Sequence, residues 1–170
     1  MMKHDEEFDL IIRDIASNPY VLDMKNFRQH CDTNTYDHCY MVAYISYKIC
    51  KKFNLDYIKV ARAGMLHDFY LYDWREKSTW HKWHAFKHGN FASINASKLF
   101  DLSKKELSMI RTHMWPVTPT LPSSKEGFIL TIADKYCASK ESLDYYRRIL
   151  FRSQTYSYIK ALIWVFLFKL

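Results

Sequence analysis

Apolar positions recur at helical spacing along most of the chain, and that spacing predicts its elements. Phe8, Ile11, Ile12 and Ile15 fall at i, i+3, i+4 and i+7, which predicts a helix over 5–16 stopped by Ser17-Asn18-Pro19. Pro19 opens a short second helix through Phe27. Asn34 and Thr35 suit the cap of a helix running to about Phe53. Its face His38, Val42, Ile45, Ile49 steps by four, three and four, so His38 is expected on a buried stripe near the start. After Asn54, Ile58, Ala61 and Met65 mark a helix that leads into His67-Asp68. Residues 69–87, with Trp74, Trp80 and Trp83, have no clean period and read as a long connection. Regular structure resumes near His88-Gly89, with Phe91, Ile94 and Leu99 expected to face inward.

Ser103 and Glu106 form the signature of a capping box, opening a helix with Leu107, Ile110 and His113 that stops before Pro116. A loop with Pro116, Pro119 and Pro122 follows. Ser123 and Glu126 read as a second capping box, starting a helix with Leu130, Ala133, Asp134 and Cys137. Strand patterns are essentially absent, and there is no internal repeat. The expected fold is all-α: a helical core over 33–142, N-terminal helices over 1–32 packed on it, and a C-terminal helical extension over 143–170. Only 3 Gly and 4 Pro also argue against a turn-dense β protein.

The extension carries the continuous apolar run ALIWVFLF at 161–168, between Lys160 and Lys169. It is far shorter than the roughly 20 residues that span a bilayer. A helix docked on the core or on a second copy of the chain is expected, so a homodimer through this helix is one outcome. An interfacial membrane contact is the other reading.

Composition narrows the function classes. Cys31, Cys39, Cys50 and Cys137 have no CxxC spacing, so no zinc ribbon and no disulfide framework is written here. The acidic start MMKHDEEFDL lacks a signal-peptide apolar stretch, and a cytoplasmic location is expected. The net charge of +7 could favour an anionic substrate or nucleic acid, a solvated surface with some excess lysine being the more ordinary reading. No predicted helix has a dense basic face, so nucleic acid is not an expected partner.

Imidazoles and carboxylates carry the candidate chemistry. His38, His67-Asp68 and the distant Asp134 all fall on or beside predicted helices, at separations of helix-hairpin size. A single histidine is more often a core or surface group than a ligand; the joint pattern is what points to a metal. His88 and His113 suffice for a second ion. Such donors suit divalent iron, manganese, cobalt, nickel or zinc. Two cations about 3.5–4 Å apart hold a phosphate and turn a bound water into hydroxide at neutral pH. The chain has no Gly-rich phosphate loop, consistent with metals taking that role.

The segments TYDHCYMVAYIS, ARAGMLHDF and TIADKYCA resemble the three motif segments of the HD domain superfamily of metal-dependent phosphohydrolases, over about residues 33–140. The resemblance implies an HD-domain helical bundle and hydrolysis of phosphate esters or anhydrides, often of nucleotides, by metal-bound hydroxide. Carried over by position, His38, His67, Asp68 and Asp134 match the core ligands. KHGNFAS and IRTHMW resemble further segments of the bimetallic branches, such as the symmetrical dinucleoside tetraphosphate hydrolases and the cyclic-dinucleotide phosphodiesterases. That match implies two ions, magnesium also being admissible. On that match His88 and His113 would bind the second with Asp68 bridging, and His67 and Asp68 are the expected catalytic residues. The Gly-Tyr-Pro signature of the cyclic-dinucleotide group is not present.

Lys135, Arg111 and His84 are candidate substrate contacts, each with an ordinary surface role as its rival reading. Asp37 can orient a ligand or serve as a first-turn carboxylate. Trp80, Trp83 and Trp115 can stack on a base or dock a loop. The expected substrate is a small phosphorylated compound, a nucleotide by preference. The rival from another class is a non-catalytic HD-fold module that holds metal or nucleotide as a sensor.

Overall fold

A computed structural model describes residues 5–29, 31–73, 84–152 and 158, with the side chains of 84 and 85 excluded. Among these there are seven α-helices and no strand: α1 (Glu6–Ala16), α2 (Pro19–Leu22), α3 (Thr35–Lys52), α4 (Tyr57–Leu66), α5 (His84–Leu99), α6 (Lys104–Thr112) and α7 (Lys125–Arg152). A 3-10 turn over Asp23–Asn26 extends α2. The expectation of an all-α bundle holds. None of the described helices is long and apolar enough to cross a membrane. Trp74, Trp80, Trp83 and the apolar run 161–168 lie outside the described residues.

Local chemistry sets the helix ends. Asp5, Asn18, Asn34 and Asp56 accept backbone N–H groups at the starts of α1 to α4. The Ser103–Glu106 capping box forms at α6. At the end of α3 the chain reverses through Asn54, whose φ of 53° is left-handed. There the Leu55 N–H reaches the Cys50 carbonyl at 2.9 Å and the Asn54 N–H the Lys51 carbonyl at 3.3 Å. This double closure satisfies last-turn carbonyls.

The predicted second box does not form. Ser124 caps α7 by accepting from the Gly127 N–H, while the Glu126 carboxylate turns to the Asp56 N–H and Lys105. A long-range partner has outcompeted the local one.

The bundle centres on α3, which packs along α4 and α7; α4 also meets α1 and α6, and α5 lies on α6. The buried seam of α3 differs from the expected one. His38 and Val42 are buried, but Ile45 and Ile49 are only partly so, and Cys39, Ala43, Ser46, Tyr47 and Cys50 complete the interior face. The reason is close approach: a Cβ on Gly64 of α4 would stand 2.6 Å from the Ala43 Cα. Helices that approach so tightly need small residues at the contact. α5 repeats the theme. Ile94, Leu99 and, on α4, Ile58 are exposed, while Gly89, Ala92 and Ala96 face inward. A Cβ on Gly89 would meet the Arg111 carbonyl at 2.8 Å. These close contacts bring His38, His67, His88 and His113 together.

Candidate metal centre

Where α4 stops determines how His67 and Asp68 are presented. α4 ends at Leu66, so the dipeptide follows the last helical turn and both side chains can turn into one space. The His67 ring hydrogen-bonds through Nδ1 to the Gly64 carbonyl at 2.8 Å. His113 repeats the arrangement after α6, with Nδ1 2.7 Å from the Ile110 carbonyl. With those nitrogens donating, the Nε2 lone pair of each ring faces the cluster.

All six predicted ligands converge and are buried. His38 Nε2 lies 3.2 Å from Asp134 Oδ1, and His67 Nε2 lies 3.7 Å from the same oxygen. Asp68 divides its oxygens. Oδ2 is 3.4 Å from His67 Nε2, whereas Oδ1 is 3.2 Å from His88 Nε2 and 3.5 Å from His113 Nε2. The two Nε2 atoms of His88 and His113 are 2.9 Å apart. Three overlapping donor triads result: His38/His67/Asp68, His67/His113/Asp134 and Asp68/His88/His113.

The donor set fits divalent cations on one further observation. His67 Nε2 and Asp68 Oδ1 are buried and have no hydrogen-bond partner. Buried polar atoms are otherwise nearly always satisfied. Two such atoms at the centre of an imidazole–carboxylate cluster could serve as donors to an ion.

The electrostatics are strongly coupled. Burial alone would raise the Asp68 and Asp134 carboxyls, but the surrounding imidazoles outweigh it and hold both well below the usual range. Burial alone would lower His38, but Asp134 and Glu141 outweigh it and push the ring up to about 10. His113 is lowered: burial outweighs the Asp68 carboxylate, which raises it, and the charge of His67 and His88 lowers it further.

The sequence reading missed two groups behind the candidate ligands. Glu141 on α7 meets His38 Nδ1 at 3.0 Å. Gln29 donates to Asp68 Oδ2, and its own oxygen accepts from the Tyr70 and Thr35 hydroxyls. Glu141 follows Asp134 by two turns on the same helix face, a spacing that sequence could have exposed. Gln29 lies in irregular chain and gave no signal.

The other candidates sit as follows. Lys135 Nζ is 2.8 Å from Asp134 Oδ2 and 3.3 Å from the His113 carbonyl, at the edge of the cluster. Arg111 is exposed, about 200° around the helix from His113, and is not brought to the cluster. His84 begins α5, one turn before His88, and its side chain lies outside the described ones. Asp37 is exposed and bonded to Asn34, so it belongs to the cap. The Trp115 ring packs edge-on against Phe128 at 5.8 Å, which docks the loop after α6.

An all-helical bundle with a buried, partly unsatisfied His/Asp cluster defines a class of metal-binding helical domain. The family model for the HD domain matches residues 35–139, more than half of the chain, and the chain belongs to that family. No curated protein and no solved structure matches it. HD domains bind divalent metals and are in general hydrolases.

Proposed function

We propose that this protein is a bimetallic phosphohydrolase acting on a small phosphorylated compound, a nucleotide by preference. The observation that carries the reading is the division of Asp68, one oxygen toward His67 and the other toward His88 and His113. A carboxylate so divided suits a bridge. His38, His67, Asp68 and Asp134 would hold the first ion, and Asp68, His88 and His113 the second. Two divalent ions there supply Lewis acidity that holds a phosphate and acidifies a water.

The chain's own groups do the rest. Gln29 fixes Asp68 in orientation, and the Gly64 and Ile110 carbonyls fix His67 and His113. Asp68 and Asp134 bring two negative charges against four from two divalent ions. The surplus is positive and suits a phosphate, and Lys135 adds a cation at the edge. A cavity of about 420 Å³ follows Asp68 in the chain, lined by Tyr20, Tyr70, Tyr72, Phe91 and Lys98 among others. The Tyr70 ring is 5.9 Å from that of His88. None of the six candidate ligands lines this pocket, so Tyr70 is its link to the cluster, and its aromatic wall would suit a substrate ring such as a nucleobase.

The test is metal content per chain, measured on protein purified without chelator, together with hydrolysis of a chromogenic phosphodiester and a nucleotide panel. Two ions with chelator-sensitive turnover are expected. One ion with turnover would remove His88 and His113 from the site. Metal without turnover of any phosphoester would replace the enzyme with a binding module, and no metal after reconstitution would end the reading.

A further inference from the structure

His67 and His113 each follow the last residue of a helix. Last-turn carbonyls there have no partner four residues on, and each ring uses one of them, three residues back, to hold its Nδ1. His38 has no such option. It is in the first turn of α3, and the carbonyl behind it, that of Asn34, already accepts the His38 N–H at 3.1 Å. Its Nδ1 is met from another helix. The Glu141 carboxylate lies 3.0 and 3.2 Å away through its two oxygens, and its side chain is only 14% exposed. Asp134, two turns earlier on α7, lies against the opposite nitrogen at 3.2 Å. One face of α7 therefore grips both edges of this ring.

We infer that Glu141 is a positioning residue. It accepts the Nδ1–H of His38, fixes the tautomer, and so keeps the Nε2 lone pair directed at the first ion. It is on the outer side of the ring and is not itself a ligand. The inference rests on the bimetallic reading and extends it to a residue that holds His38 from outside the six candidate ligands.

Three substitutions separate position from charge. Glu141→Gln keeps an acceptor oxygen at the same reach and loses the charge. Glu141→Asp keeps the charge but withdraws the oxygens by about 1.5 Å, one carbon–carbon bond. Glu141→Leu removes both. Zn(II) affinity is measured against a competing chelator in a His113→Ala background, where one ion is expected. Glu141→Gln should stay within about threefold of its parent, while Glu141→Asp and Glu141→Leu should lose about 10–100-fold, as loss of an outer partner does.

The reverse order, with Asp equal to the parent and Gln weakened, would make the role electrostatic and overturn the inference. Equal binding by all three would overturn it too, as would an equal loss in all three. The same substitutions in the otherwise unaltered chain, read by thermal melting and by occupancy of the His88/His113 site, show whether folding is retained. If the unaltered protein takes up no metal, the bimetallic reading falls first and this inference with it. If it takes up two ions and the variants match it, only the inference falls.

Discussion

Gly64→Ala sets two well-measured effects against each other. Inside an exposed helix this change stabilises by about 1 kcal/mol, because alanine loses less backbone freedom on folding. At Gly64 the new Cβ would stand 2.6 Å from the Ala43 Cα, 3.0 Å from its Cβ and 3.1 Å from its nitrogen. Ordinary carbon–carbon contact is about 3.5–4.0 Å. The neighbours are backbone and a methyl group, so no side chain can rotate aside. α3 and α4 must separate by about 1 Å along the seam that forms the centre of the bundle. Overpacking of this kind costs about 1–3 kcal/mol. With rigid partners the upper part of that range applies, leaving a net loss of about 1–2 kcal/mol.

For a chain of this size, that lowers the melting temperature by roughly 2–8 °C. Thermal and urea unfolding followed by far-UV circular dichroism, in chelator, measures it without contribution from metal. A raised or unchanged melting temperature would refute the argument, since helix propensity would then have won. The variant keeps the Gly64 carbonyl that holds His67. Any fall in affinity for the first ion would therefore report the altered spacing between His38 on α3 and His67 after α4.

Four further outcomes are expected. Asp68→Ala should remove both ions by elemental analysis, and metal content equal to that of the unaltered chain would remove the bridge from the argument; His113→Ala should lose one ion and keep the other. Lys135→Met should leave metal content unchanged and lower kcat/KM about 10–100-fold, the equivalent of one charged hydrogen bond; unchanged kinetics would place Lys135 outside the site. Burial would raise the Glu126 carboxyl, but Lys105 at 2.9 Å and the Asp56 N–H outweigh it and pull it down to about 2. A depressed carboxyl contributes its stability in full above its ordinary value of 4.5 and loses it as pH falls toward about 2. Glu126→Gln should therefore melt lower than the unaltered chain at pH 7, with the difference closing between about pH 5 and 2; parallel melting curves across that range would refute the pairing.

What could be read from sequence follows the range of each interaction. Caps such as Asn34 and the Ser103–Glu106 box are local, and they form where expected. The six candidate ligands were legible because few residue types bind metal and each was beside a helix; the structure gathers all six. The inner faces of α3 and α5 were misread for one reason. Hydrophobic size marks burial only where there is room, and Gly64 and Gly89 mark contacts where there is none. There Ala43, Ala92 and Ala96 are interior while Ile94 and Leu99 face outward. Glu126 was misread as a local cap because its partners, Asp56 and Lys105, come from other helices. Gln29 and Glu141 are also long-range, joining Asp68 and His38 from distant parts of the chain.

The two kinds of histidine also differ in how the backbone treats a cation. His67 and His113 stand at helix C-termini, where the dipole is negative and favours positive charge. His38 stands in the first turn of α3, where the dipole is positive and opposes it. The ring in the unfavourable position is the one held between two carboxylates, Asp134 at Nε2 and Glu141 at Nδ1. Two helix ends supply orientation and a favourable field together. At His38 neither is available from its own helix, and α7 supplies both through side chains. The first ion should therefore depend more on α7 than the second, whose histidines lie on α5 and after α6, and substitutions along the α7 face should weaken the first ion selectively.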